Sequence, residues 1–323
     1  MKSSKHLGVA IGLVWGALFL GSGASAQEPA EVESAATEPQ AASVRVDEQV
    51  LVRGVRMSEI DFDLPEYVRE FIAEVVAVPM GAGYARWHKS VCVGVENLEA
   101  TAAQYIVDRV SLLAGQVGLE IGEPGCSPDI MIIFASNAKE IAAYMVENQP
   151  LFFRPGMGEC CMQRGLGALD EFVESDVPVR WWHVSMPVSA MTGERAAMIA
   201  GDASDDYPVI SVAGPSRIHN GIRDELHHAI VLVDSTKLRG KTWQQIGDYL
   251  AVVSLAQIDL KTDPSDFDSI LNLFTNGGAY SGLTDWDLSF VQALYEIDLE
   301  RLPKFQKNQL VSRIAKQERS TYE

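Results

Sequence analysis

Basic residues are scarce in this chain. Its 26 Lys and Arg face 44 Asp and Glu, a formal net charge of −18. Such a surface repels phosphate backbones and anionic lipid, which argues against nucleic-acid binding. Glycine and proline, 26 and 14 of 323 residues, are too few for collagen or a low-complexity chain. Local catalytic signatures are missing as well. There is no GxSxG elbow, no Walker loop, no GxGxxG turn and no CxxC pair. A Ser-His-Asp triad needs no adjacency in sequence, and nothing in the residue order points to one. Past the first 20 residues no uncharged apolar run approaches the length of a bilayer span. What is present is a 47% hydrophobic composition, enough for a packed core in one or two domains.

The first 26 residues read as an address. Lys2 and Lys5 form a positive start, Leu7 to Leu20 is apolar without charge, and Ala24-Ser25-Ala26 is a small-x-small cleavage site. Gln27 would then begin the mature chain, whose net charge becomes −20 once Lys2 and Lys5 are removed. The signal implies a periplasmic or secreted protein with no stable membrane span after cleavage. In that compartment disulfides persist. Of the four cysteines, Cys92 and Cys126 each adjoin an apolar run. If those runs are neighbouring strands, the two thiols can pair, closing a loop worth roughly 3–4 kcal/mol in the chain-entropy model. Cys160-Cys161 leaves three readings open: a strained vicinal disulfide, two thiols, or a link between chains.

Residues 27–43 are rich in Glu, Ala, Pro and Ser and hold no aromatic, so they read as disordered. The following stretch to residue 57 is short-period and β-like. We place a leader over 27–58 and a single α+β domain over 59–323. Its N-terminal half alternates strands and helices, predicting a mixed sheet packed by helices. Strands are expected at Ser90–Val95, Ile130–Phe134, within Val177–Val188 and at Pro208–Val212. Helices are expected from Pro65, from Asn97 or Glu99 to Gln116, and over Ala138–Glu147. Residues 150–170 read as loop. The C-terminal third is mainly helical, over Thr242–Ile258, Asp285–Ile297 and 303–320.

The sharpest motif is Asp224-Glu225-Leu226-His227-His228, a zinc-protease HExxH with Asp in the first position. Ligands four apart on a helix share a face, and the neighbouring Glu activates a metal-bound water. Asp224 and His228 are thus candidate ligands and Glu225 a candidate base, with Asp234 or Asp248 as a third ligand. Against this, Ala229-Ile230-Val231-Leu232-Val233 is a continuous apolar run rich in β-branched residues and reads as a buried strand. Val231 also stands where an extended zinc motif needs glycine, and β-branched residues resist positive φ.

A second pattern lies further on: helix 242–258, then Asp268-Ser269-Ile270-Leu271-Asn272, then Leu283-Thr284-Asp285-Trp286-Asp287 running into Ala293-Leu294-Tyr295. This order resembles the tail of matrixin-like zincins and of secreted bacterial domains of unknown function that share it. There an active-site helix, a Ser-Ile turn beneath the metal and a capped helix ending in Leu-Tyr follow one another. The match covers about 55 residues. It implies a zincin-like fold and export, but its catalytic positions are lost: Asp248-Tyr249-Leu250-Ala251-Val252 stands where HExxH belongs. Together these readings favour a non-catalytic module that binds a protein or envelope partner and needs no cofactor. The alternative is a divergent zinc metallohydrolase using Asp224, Glu225, His228 and Asp248. His88 and His183, each beside Trp, read either as pocket bases or, preferably, as histidines packed on indole. Asp202, Asp205 and Asp206 lack the spacing of a calcium loop and read as a solvated acidic segment.

Overall fold

The computed structural model describes residues 63–79, 82–153, 166–199, 207–212, 217–275 and 280–322. The export signal, the leader over 27–58, Cys160, Cys161 and the Asp202, Asp205 and Asp206 segment lie outside the described residues. All described residues belong to one compact unit, Met57–Glu323.

Pro65 sits in the first turn of α1 (Leu64–Val75), where its missing N–H costs nothing. Asp63 caps that turn by accepting from the Glu66 N–H, and Val68, Phe71, Ile72 and Val75 form its buried stripe. The chain continues through β1 (Ala85–Arg86), β2 (Ser90–Val91) and β3 (Val93–Glu96). The run expected as one strand over Ser90–Val95 is therefore split at Cys92. Its N–H donates to Asp129 Oδ2 at 2.8 Å and its carbonyl accepts from Asp129 and Ile130, so the strand changes partners there. Helix α2 (Ala100–Gln116) starts at Glu99, whose carboxylate accepts from the Thr101 and Ala102 N–H groups. It stops at Gly118, which takes the left-handed φ of +86°.

Next come β4 (Glu120–Ile121), β5 (Ile130–Ala135), α3 (Ala138–Asn148), α4 (Pro150–Phe153) and α5 (Leu166–Glu174). Helices α4 and α5 replace loop at the two ends of the stretch expected over 150–170, where the buried Phe153 and Leu169 anchor them; residues 154–165 lie outside the described residues. Then follow β6 (Val179–Ser189), β7 (Ala197–Ile199), β8 (Tyr207–Val209) and β9 (Ile222–Asp234). The strand expected at Pro208–Val212 is shorter and pairs only with β7. The C-terminal helices are α6 (Trp243–Leu255), α7 (Asp285–Glu296) and α8 (Pro303–Tyr322).

The architecture is α+β. A five-stranded mixed sheet is organised around β9. One edge of β9 pairs antiparallel with β6 along its length. The other edge pairs parallel with β1 at Asp224–Glu225 and with β5 from Ala229 to Asp234, and β3 lies outside β5. One face of the sheet supports the main core, built with α1, α2, α6, α7 and α8; the other packs on Ala138, Ala142, Phe153, Leu169 and Phe172. Helix α6 is buried from Ile246 to Leu255, as expected of a helix surrounded by protein. Cys92 and Cys126 stand at disulfide distance, their Cα atoms 6.1 Å apart, at the junction of the β2–β4 and β3–β5 pairs. No helix among the described residues is long and apolar enough to cross a membrane.

Candidate functional site

The Asp224–His228 motif lies on β9 and is extended. In a regular strand residues four apart share a face. Here they do not, because a bulge interrupts the β6 pairing: Val184 faces His228, yet Ser185 faces Leu226, leaving His227 as the extra residue. The packing records the consequence. Leu226 joins the same core as Ala229, Val231 and Val233, whereas Ile230 and Leu232 enter the opposite one. His227 and His228 consequently sit side by side, ring centroids 5.3 Å apart.

Asp224, Glu225 and His228 each have a local partner, whereas His227 Nδ1 is buried without a hydrogen bond among the described residues. The half-buried Asp224 carboxylate accepts from the Gly83 N–H at 2.7 Å, and desolvation raises its pKa. His228 turns to the other face. Its ring lies 4.3 Å from that of Phe152, and Nε2 donates to the Phe152 carbonyl at 2.5 Å. Burial pushes its pKa down to about 4, so the imidazole is neutral near pH 7. Glu225 accepts from Arg223 Nε at 2.5 Å and stands 3.7 Å from His88 Nδ1. Desolvation is the larger influence on His88 and lowers its pKa despite Glu225.

The two further ligand candidates are also committed. Asp234 caps the turn after β9, accepting from the Thr236 N–H at 3.0 Å and the Thr236 hydroxyl at 2.6 Å. Asp248 is buried in α6. It is ion-paired with Arg109 of α2, with Nε at 2.8 Å, and takes the Leu283 N–H at 3.0 Å. Gly282 is required beside it, since a Cβ there would fall 2.5 Å from Asp248 Oδ2. Asp224, His228 and Asp248 thus occupy three separate places and form no common donor set. The Ser269-Ile270 turn is held by the cap of α7: the Ser269 hydroxyl donates to Asp287 at 2.5 Å and the Ile270 N–H at 2.8 Å. The same carboxylate closes a capping box with Thr284, and burial raises its pKa to about 6.

Two cavities adjoin the motif strands. A cleft of about 270 Å³ opens between the end of β1, the start of β5 and the first half of β9. It gathers His88, Asp129, Arg195, Arg223, Glu225 and His227. Arg223 is central, bonded to Glu225 and lying 3.3 Å from His88 Nε2 and 3.9 Å from Glu300. Sequence reasoning missed Arg223, Arg195 and Asp129 as companions of Glu225. Arg223 lies two residues before Glu225 on β9, but Asp129 and Arg195 come from the segments just before β5 and β7, and no local spacing links these two to the motif.

On the α6 side of β6, His183, Ser254 and Gln257 form a buried polar group beside Trp181 and Trp182. Gln257 Nε2 reaches the Ser185 hydroxyl at 3.4 Å, whereas His183 Nε2, Ser254 Oγ and Gln257 Oε1 find no protein partner. His183 bonds the Val253 backbone, but desolvation lowers its pKa to about 4. The adjoining cavity of about 30 Å³ has room for one water, the usual answer to orphaned buried polar atoms. His183 lines this small cavity together with Trp181, Trp182 and Gln257. His88 differs: it belongs to the charged cleft.

No protein-family model, no curated protein and no solved structure matches this chain.

Proposed function

We propose that the chain is an exported, non-catalytic binding module of zincin-like build that acts on a protein or envelope partner. The observation that carries this reading is the opposed placement of Asp224 and His228 across the sheet, with Asp248 neutralised by Arg109. A zinc-activated water needs three donors around one point, and these side chains offer none. The zincin-like build is supported by the order of strand β9, buried helix α6, Ser269-Ile270 turn and capped helix α7, with the turn tied to the cap through Asp287. Export is supported by the N-terminal apolar run and by Cys92 and Cys126 at disulfide distance.

Within this reading the cleft beside Glu225 serves recognition. Lys89, Arg195 and Arg223 outnumber Asp129 and Glu225 there, a local excess of cation on an acidic chain. Such a site favours a partner's anionic group. The test is hydrolysis of fluorogenic casein and of a mixed fluorogenic peptide library, with and without added zinc. Turnover equal to the blank is expected. Turnover that disappears in Glu225→Gln would restore the metallohydrolase.

A further inference from the structure

An open groove lies away from the motif strand, where the first turns of α2 and α6 meet. Its volume is about 920 Å³. Two aromatic side chains line it in unusual exposure: Trp243 is 43% accessible and Tyr105 38%. Every other described Trp is buried, with Trp87 at 3%, Trp181 and Trp182 at 5% and Trp286 at 6%. Leaving a large indole in water forfeits its burial free energy, so an exposed aromatic pair beside a groove marks a contact surface. Trp243 is also held in place. Its ring meets Phe134 edge-on at 6.3 Å, and its backbone follows the Thr242–Gln245 capping box.

Beside the rings the groove carries uncharged polar groups. Gln244, Ser281 and the Tyr105 hydroxyl supply amide and hydroxyl donors and acceptors. Glu99 is the one ionisable carboxylate in the lining, and it is consumed in capping α2 through the Thr101 and Ala102 N–H groups. No Lys or Arg lines the groove, so nothing there would hold a phosphate, a sulfate or a uronate, and the chain's net charge of −18 repels polyanions.

Flat aromatic faces beside neutral hydrogen-bonding groups suit a ligand with apolar C–H faces and a rim of hydroxyls. The C–H groups meet the negative faces of the rings, and the hydroxyls meet the amides. We infer that this groove binds a neutral oligosaccharide, with Trp243 and Tyr105 as its two stacking platforms. This site is separate from the charged cleft and holds whether or not zinc is ever bound.

The exposure pattern supplies its own probe, because Trp243 alone among the described tryptophans is open to ligand. Chitotetraose and cellotetraose, titrated to about 10 mM, are expected to blue-shift the solvent-exposed part of the tryptophan emission with a Kd of about 0.1–1 mM. By calorimetry Trp243→Leu should weaken binding about tenfold or more, while Tyr105→Ala weakens it several-fold and leaves the Trp243 signal in place. Thermal melting of both variants separates lost binding from lost fold, and Tyr105 is exposed enough to be removed without unfolding. The inference is overturned if neither sugar produces heat or a spectral change. It is equally overturned if folded Tyr105→Ala and Gln244→Ala bind both sugars as the parent does, or if polygalacturonate binds more tightly than either neutral chain.

Discussion

The two halves of β9 are one strand with two occupations. From Ala229 to Val233 every residue is buried, and strands flank both edges. From Ile222 to His228 only Leu226 is buried, the sole parallel partner is the two-residue β1, and the β6 pairing is bulged. Hydrophobic burial fixes the first half. Specific polar bonds hold the second: Asp224 to Gly83, Glu225 to Arg223, His228 to Phe152. The difference teaches why a metalloprotease-like string of residues need not make a metal site. Ligand geometry is set by the backbone beneath it, and here the apolar half anchors the motif in a sheet.

The sharpest break in the comparison is mutational. Leu232→Ala should cost about 3–4 kcal/mol in urea denaturation, since Leu232 is fully buried and the site has little freedom to collapse. A cost below about 1 kcal/mol would show that the apolar half is not the anchor. An effect of similar origin is expected outside the strand. Arg109→Met removes the cation facing Asp248, which is 1% exposed, and should cost about 3 kcal/mol by leaving a buried carboxylate unpaired. Asp248→Asn should cost less than that, which calorimetric melting of both variants would check.

A pH titration probes the polar framework at intermediate size. His183 and His228 have folded pKa values near 4 against an ordinary 6.5, so the unfolded chain binds more protons between those values. Stability therefore rises with pH through this window and is lost as pH falls from 6.5 towards 4. Asp287, raised to about 6, acts in the opposite sense, favouring the folded state at low pH and losing that contribution as pH rises through about 6. Two histidines outweigh one carboxylate, so a net loss of roughly 4 kcal/mol on acidification is expected. His228→Gln should flatten the slope, and Asp287→Asn should steepen it. The smallest effect belongs to Glu225→Gln, expected within about 1 kcal/mol because the amide oxygen still accepts from Arg223.

Much of the fold was legible in sequence for local reasons. The β-branched run at 229–233 declares a buried strand, the spacing of Thr284 and Asp287 declares a capped helix, and apolar runs beside Cys92 and Cys126 predict their approach. What stayed hidden is non-local. The strand begins at Ile222, seven residues earlier than its apolar pattern, because pairing with β1 and β6 extends it through charged residues. The bulge at His227 has no signature, yet it decides which faces Asp224 and His228 occupy. Helices α4 and α5 escaped notice because they are short, four and nine residues, and their phenylalanines find burial against β6 rather than in a local pattern. Likewise Asp248 reads as a possible ligand until Arg109, 139 residues away in sequence, is found against it.

Isothermal titration of the metal-stripped protein with zinc, repeated on Asp224→Ala and His228→Ala, tests the extended motif most directly. The account predicts no site tighter than about 1 µM whose zinc binding either substitution abolishes. One equivalent of zinc bound more tightly than that, and lost in both variants, would mean that the two side chains meet at a single ion and that the strand assignment is wrong.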